Sequence, residues 1–173
     1  MSNFKEKLKE VRTLIFDIDG VLSRQTITID QTGTPMRTVN LRDGYALQLA
    51  VKRGYRIAVI SGAVNEPFRE RLNNLNVNDV FLGVGHKLPV YRDYLEKHGL
   101  TDDKVLYMGD DIPDYEVMSV AGVAACPGDA DSEIKQISGY ISDKNGGEGC
   151  VRDIIEQVMR LHGTWLNHDA FSW

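Results

Sequence analysis

Six short apolar runs, several of them ending in an acid, a serine or a glycine, constrain this chain more than any other feature. They are Thr13-Leu14-Ile15-Phe16 before Asp17, Ile57-Ala58-Val59-Ile60 before Ser61-Gly62, Val80-Phe81-Leu82, Val105-Leu106-Tyr107-Met108 before Gly109-Asp110-Asp111, Val123-Ala124-Ala125, and Tyr140-Ile141. Runs this short and apolar throughout fit strands buried on both faces of a parallel sheet. Helical patterns lie between them, at residues 44–52, 65–73, 88–98, 113–120 and 151–161, with Pro113 in a first-turn position and Gly122 where a C-cap would fall. Strand–helix alternation of this kind predicts an α/β fold, a Rossmann-like doubly wound parallel sheet. At 173 residues the chain is expected to form a single domain, residues 1–173.

Residues 21–41 break the alternation. Thr26-Ile27-Thr28-Ile29, the turn Asp30-Gln31-Thr32-Gly33 and residues 36–41 read as a small β-hairpin, a flap over the site or an oligomer contact. At the other end, residues 162–173 form a polar tail carrying two tryptophans and Phe171. It is read as a frayed terminus or as a segment that docks on a neighbouring subunit.

Several classes are disfavoured by composition. The net charge is −5 and no basic run is present, so nucleic acid is not an expected partner. An anionic substrate stays open, because a bound divalent cation inverts the local field. Cys126 and Cys150 form no CxxC pair and read as reduced structural thiols. Residues 1–10 lack the apolar core of a signal peptide, and no run is long enough to span a membrane, so a cytoplasmic location is expected.

In open α/β sheets, ligands bind beyond the carboxyl ends of the strands. The residues there are Asp17, Asp19 and Gly20; Ser61 and Gly62; Lys87; and Asp110, Asp111 and Asp114. Carboxylates that converge repel one another unless a cation sits among them, and an all-oxygen set of this kind favours Mg²⁺. Taken singly, a DxD pair, a Ser-Gly turn or a surface lysine would mean little. His86, beside Lys87, reads as a loop residue. The informative feature is the convergence on one edge.

Asp17-Ile18-Asp19-Gly20-Val21 after an apolar strand resembles the DxDGV/T signature of the haloacid dehalogenase superfamily of phosphatases. Ser61, Lys87 and Gly109-Asp110-Asp111 with Asp114 match its later motifs in order. The resemblance implies that Asp17 attacks phosphorus and that Asp19 protonates the leaving alcohol and then deprotonates water. It implies a Mg²⁺ held by Asp17, the Asp19 carbonyl and Asp110, with Ser61 and Gly62 on phosphate oxygens and Lys87 offsetting charge. Asp111 and Asp114 are expected to support this set from outside it.

The gaps between motifs leave no room for a cap domain. The chain most resembles the family of 3-deoxy-D-manno-octulosonate 8-phosphate (KDO 8-phosphate) phosphatases, over about residues 11–160. Asn40-Leu41-Arg42-Asp43-Gly44, Gly109-Asp110-Asp111-Ile112-Pro113-Asp114 and Gly146-Gly147-Glu148-Gly149-Cys150-Val151-Arg152 carry the likeness. Pro113, Cys150 and Asp153 depart from the family's usual residues. The resemblance implies a homotetramer whose active sites are closed by neighbouring subunits, and a role in lipopolysaccharide precursor synthesis. Arg42 and Arg152 are candidates for the substrate's carboxylate, since Arg is its preferred partner. A relative acting on nine-carbon acids such as KDN 9-phosphate carries Glu after the Ser/Thr-Gly, and the eight-carbon type often carries Arg; Ala63 matches neither. Two other classes stay in view, a non-catalytic scaffold and a receiver-like phosphoacceptor. Asp19, the acid/base that a receiver lacks, argues against the second.

Overall fold

The computed structural model describes residues 4–166 and 168–173. The elements run α1 Phe4–Leu8, β1 Thr13–Phe16, β2 Thr28–Ile29, β3 Pro35–Met36, α2 Leu41–Lys52, β4 Arg56–Ile60, α3 Glu66–Asn73, β5 Asp79–Phe81, α4 Lys87–His98, β6 Val105–Met108, α5 Tyr115–Val120, β7 Val123–Cys126, α6 Ser132–Ile137, β8 Tyr140–Ile141 and α7 Cys150–Leu161. Six strands form one parallel sheet in the order β5-β4-β1-β6-β7-β8, the doubly wound α/β sheet that the apolar runs predict. The strand order reverses around β1, which lies between β4 and β6, and so the crevice for a ligand opens at its carboxyl end.

Alternation within the strands divides the core. Leu14, Phe16, Ile57, Val59, Leu106 and Met108 face α2, α3 and α7, whereas Ile15, Ala58, Ile60, Val105 and Tyr107 face α4, α5 and α6. Both faces are covered, which is why the runs are apolar without a break. On the first of these faces α7 packs on α2, and its N-terminus is fixed by the Arg152 N–H donating to Asp43 Oδ1 at 2.7 Å.

Four local readings change. The hairpin strands are two residues each, and α2 starts at Leu41 instead of 44, because Asn40 accepts from the N–H groups of Arg42 and Asp43 and caps the helix. Gly122 is not a left-handed C-cap; its N–H donates to the Asp102 carbonyl at 2.8 Å and brings two loops together. Helix α6, opened by Asp131 as N-cap, has no counterpart among the predicted helices.

The C-terminal tail folds back onto its own chain. Trp165 is buried, its ring edge-on to Tyr45, and the Tyr45 hydroxyl donates to the Ala170 carbonyl. Asn167, within the tail, lies outside the described residues. Phe171 and Trp173 remain exposed.

Candidate active site

A cleft of about 990 Å³ opens at the carboxyl edge of the sheet, lined among others by Asp17, Asp19, Ser61, Gly62, Lys87, Asp110, Asp111 and Asp114. Asp17 follows β1 directly. Its N–H donates to the Met108 carbonyl, locking it to β6, and its Oδ1 accepts from the Ile18 N–H at 2.6 Å. The chain then reverses: the Gly20 N–H donates to the Ser23 carbonyl, and Gly20 takes a φ of +86°. A side chain is excluded there, because a Cβ would stand 1.9 Å from Asp110 Oδ2. Ser61 follows β4, tied to β5 by its N–H on the Phe81 carbonyl, with its Oγ accepting from the Ala63 N–H.

Lys87 is the first residue of α4 and is buried. Its Nζ lies 2.9 Å from Asp17 Oδ2 and 2.6 Å from Asp114 Oδ1. Asp114 is fully engaged. Oδ1 also accepts from the Tyr107 hydroxyl at 2.7 Å, and Oδ2 accepts from the Asp110 N–H at 3.2 Å. One carboxylate thereby fixes the lysine, a strand tyrosine and the backbone of the next acid.

Asp17, Asp110 and Asp114 are buried, with an oxygen from each within 4.8 Å of the others. Burial, then the charge of Asp114, pushes Asp17 up to about 6 despite Lys87. Burial, then Asp17 and Asp114, pushes Asp110 up to about 8. Burial opposes the charge on Lys87, but Asp17 and Asp114 outweigh it and its pKa is raised. One lysine does not offset three buried acids. A divalent cation bound by hard oxygen ligands would, so these residues fit such an ion.

The comparisons with known proteins agree with this edge. Residues 72–154 match the family model of haloacid dehalogenase-like hydrolases. The KDO 8-phosphate phosphatase KdsC of Escherichia coli strain K12 is 31% identical over 157 residues, which span 91% of this chain and 84% of that protein. The chain belongs to the KDO 8-phosphate phosphatase family of haloacid dehalogenase-like hydrolases. Two solved structures of KDO 8-phosphate phosphatases share its architecture. That from Yersinia pestis superposes with a TM-score of 0.90 at 26% identity, covering 94% of this chain and 88% of that one. That from Moraxella catarrhalis, in complex with magnesium, phosphate and KDO, gives 0.89 at 27% identity, covering 93% and 92%. The chain is accordingly a phosphatase.

Not every residue singled out in the sequence reaches the cleft of this phosphatase. Arg42 is exposed in the first turn of α2. Arg152 packs its guanidinium over the rings of Tyr45 and Trp165 and lies 3.5 Å from Glu156. Neither lines the cleft of the single chain, so the expected contact of either with a substrate carboxylate is not made there. Asp111 lines the cleft but spends its Oδ1 on the N–H of Ile112. His86 pairs with Glu116 at the surface.

Conversely, three residues passed over in the sequence bear on it: Gln25 lines the cleft, while Tyr107 and Arg37 stay out of its lining and bond to residues within it. Tyr107 reads as one more apolar strand residue. Gln25 donates to the Asp129 carbonyl at 2.9 Å and lies 3.4 Å from Asp110. Arg37, on the hairpin, forms a bidentate pair with Asp19, Nε to Oδ1 at 2.7 Å and a terminal nitrogen to Oδ2 at 2.8 Å. Asp30-Gln31-Thr32-Gly33 signalled the hairpin, but no local pattern reveals that Arg37 faces inward.

Proposed function

We propose that this phosphatase hydrolyses KDO 8-phosphate to KDO and inorganic phosphate, using Mg²⁺ and an aspartyl-phosphate intermediate. The observation that carries the reading is the placement of Asp17, buried beside Lys87, with Asp19 two residues on and facing the same cleft. An oxygen of Asp17 attacks phosphorus as the bond from phosphorus to the sugar oxygen breaks, and that oxygen takes a proton from Asp19. Asp19 then accepts a proton from a water molecule whose oxygen attacks the phosphorus, releasing inorganic phosphate and Asp17. Ser61 and Gly62 hold phosphate oxygens, and Lys87 offsets their charge. Asp17, the Asp19 carbonyl and Asp110 would hold Mg²⁺, with Asp114 supporting them; the ion supplies charge stabilisation at the phosphoryl group.

The choice of sugar is supported by the 31% identity to KdsC and by the likeness to the KDO-bound structure. Among the described residues, seven carboxylates and two lysines line the cleft, and Lys87 is already paired. Among the described residues of one chain, that leaves Lys135 as the cleft cation that meets the sugar acid's carboxylate. We also infer a single domain whose hairpin, about residues 21–41, helps form a homotetramer that completes each site, and a place in lipopolysaccharide precursor synthesis. No helix among the described residues is long and apolar enough to cross a membrane. A substrate panel tests the reading: KDO 8-phosphate, KDN 9-phosphate and neutral sugar phosphates with Mg²⁺, with and without chelator. KDO 8-phosphate should give the highest kcat/KM, and chelation should abolish turnover. Preference for the nine-carbon ester would reassign the substrate, and chelator-resistant turnover would reject the metal.

A further inference from the structure

Asp19 stands at the cleft mouth with its side chain 38% exposed, and only one side chain among the described residues bonds it. That side chain, Arg37, is 8% exposed and is not part of the cleft lining. Arg37 follows directly on β3, both of whose residues are exposed, and is the first side chain after that strand to turn inward. The base of the hairpin is tied to the loop that carries Asp19. The Thr38 N–H donates to Ser23 Oγ at 3.0 Å, the Arg24 N–H donates to Thr38 Oγ1 at 3.1 Å, and Ser23 forms a β-bridge with Asp19.

We propose that Arg37 is a positioning residue for Asp19, and that the hairpin therefore serves the chemistry of its own chain as well as any contact with a neighbour. This rests on the reading of Asp19 as the acid/base. An exposed aspartate samples several rotamers, and a proton transfer needs one of them. Two parallel N–H···O bonds from a planar guanidinium fix both the position and the plane of the carboxylate, which a lysine does not reproduce. Asp19 lines the cleft and Arg37 does not, so the pair leaves the cleft side of the carboxylate to the leaving oxygen and to water. The competing explanation is that Asp19 serves merely as a counterion for a buried arginine, which is a matter of stability alone.

A double-mutant cycle separates the two. Arg37→Met, Arg37→Lys, Asp19→Ala and the doubly substituted chains are compared for kcat and KM on KDO 8-phosphate and on 4-nitrophenyl phosphate. With Asp19 present, Arg37→Met should lower kcat about 10- to 100-fold, as expected for a misplaced acid/base, with little change in KM. Arg37→Lys should recover part of the loss. With Asp19 replaced by alanine, removing Arg37 should cost less than about twofold, because there is nothing left to position. An equal fall in both backgrounds, or no fall with Asp19 intact, would overturn the proposal. If Arg37→Met does not fold, the cycle is read with Arg37→Lys, whose loss must likewise vanish with Asp19. Undiminished turnover by Asp19→Ala alone would instead sink the acid/base reading, a result distinct from failure of the Arg37 cycle.

Discussion

At the sheet edge, Asp114 takes donors from Lys87, Tyr107 and the Asp110 backbone, and all of these groups but one are buried strand or helix residues with no freedom to leave. The hairpin a short distance away has two residues in each strand, and Ile29 and Met36 stand in the open. Yet both regions bring a charged side chain to bear on the same cleft, Lys87 within its lining and Arg37 through Asp19. The edge does so through redundancy, several contacts holding each group. The hairpin does so through one bidentate pair and a few bonds at its base. Substitutions at the edge should therefore be costly in activity and stability together, and those at the hairpin tip should register in neither.

The largest expected effect is at the edge. Asp17→Asn should lower phosphate release by about four orders of magnitude or more, the usual scale for loss of a nucleophile, while the chain still folds. A variant retaining a tenth of the activity would remove Asp17 from the reaction. Gly20→Ala comes next: the new methyl collides with Asp110 and the φ of +86° is strained, so about 1–3 kcal/mol of stability and most of the activity should be lost together. Chemical denaturation and a rate assay on the same sample check this.

Asp43 tests an acid outside the cleft. Burial pushes its pKa up to about 6 from 3.8, and its Oδ2 has no partner. The folded state thus favours the protonated form, and the charge costs stability above pH 6, a cost that fades as pH falls towards 4. Asp43→Asn should then be more stable than the parent at pH 7 by up to about 3 kcal/mol, with the gain shrinking to nothing near pH 4. A gain that does not vary with pH would reject the assignment. Tyr107→Phe should cost about 1.5–3 kcal/mol, the scale for a buried hydrogen bond to a charged group, since Asp114 loses one of its three donors. Smallest of all, Ile29→Ser should leave unfolding of the chain within about 0.5 kcal/mol. The mass of the assembly in light scattering is where that change would register if hairpins pack together.

The sheet was legible because β1, β4 and β6 are buried on both faces, which leaves uninterrupted apolar runs and marks the residue after each. Asp17, Ser61 and Asp110 could be placed on one edge for that reason, and Lys87 followed from its order in the series. Tyr107 was not legible. Its ring belongs to the apolar strand pattern, and only the fold reveals that its hydroxyl ends on Asp114. Arg37 was hidden for another reason: its partner lies 18 residues earlier, and the hairpin register, not composition, turns it inward. Arg152 shows the converse. An arginine in the first turn of a helix near a glycine-rich loop suggests an anion site, but Tyr45 and Trp165 offer their ring faces from the same side and hold it there. The start of α2 was misplaced because Asn40 was read with the hairpin instead of as a cap.

The glycine-rich segment before α7 has a consequence for the life of the chain. The Gly147 N–H donates to the Val21 carbonyl at 2.8 Å, the Cys150 thiol to the same carbonyl, and a Cβ on Gly146 would meet the Gly20 carbonyl oxygen at 1.9 Å. The loop bearing Asp17 and Asp19 is thus braced by residues made well after it. On the ribosome, the nucleophile emerges before its brace and waits until the segment from Gly146 to Cys150 is also free. A chain released before that point carries every acid of the site and lacks the wall against which they are set, so a truncated product would be an inert one.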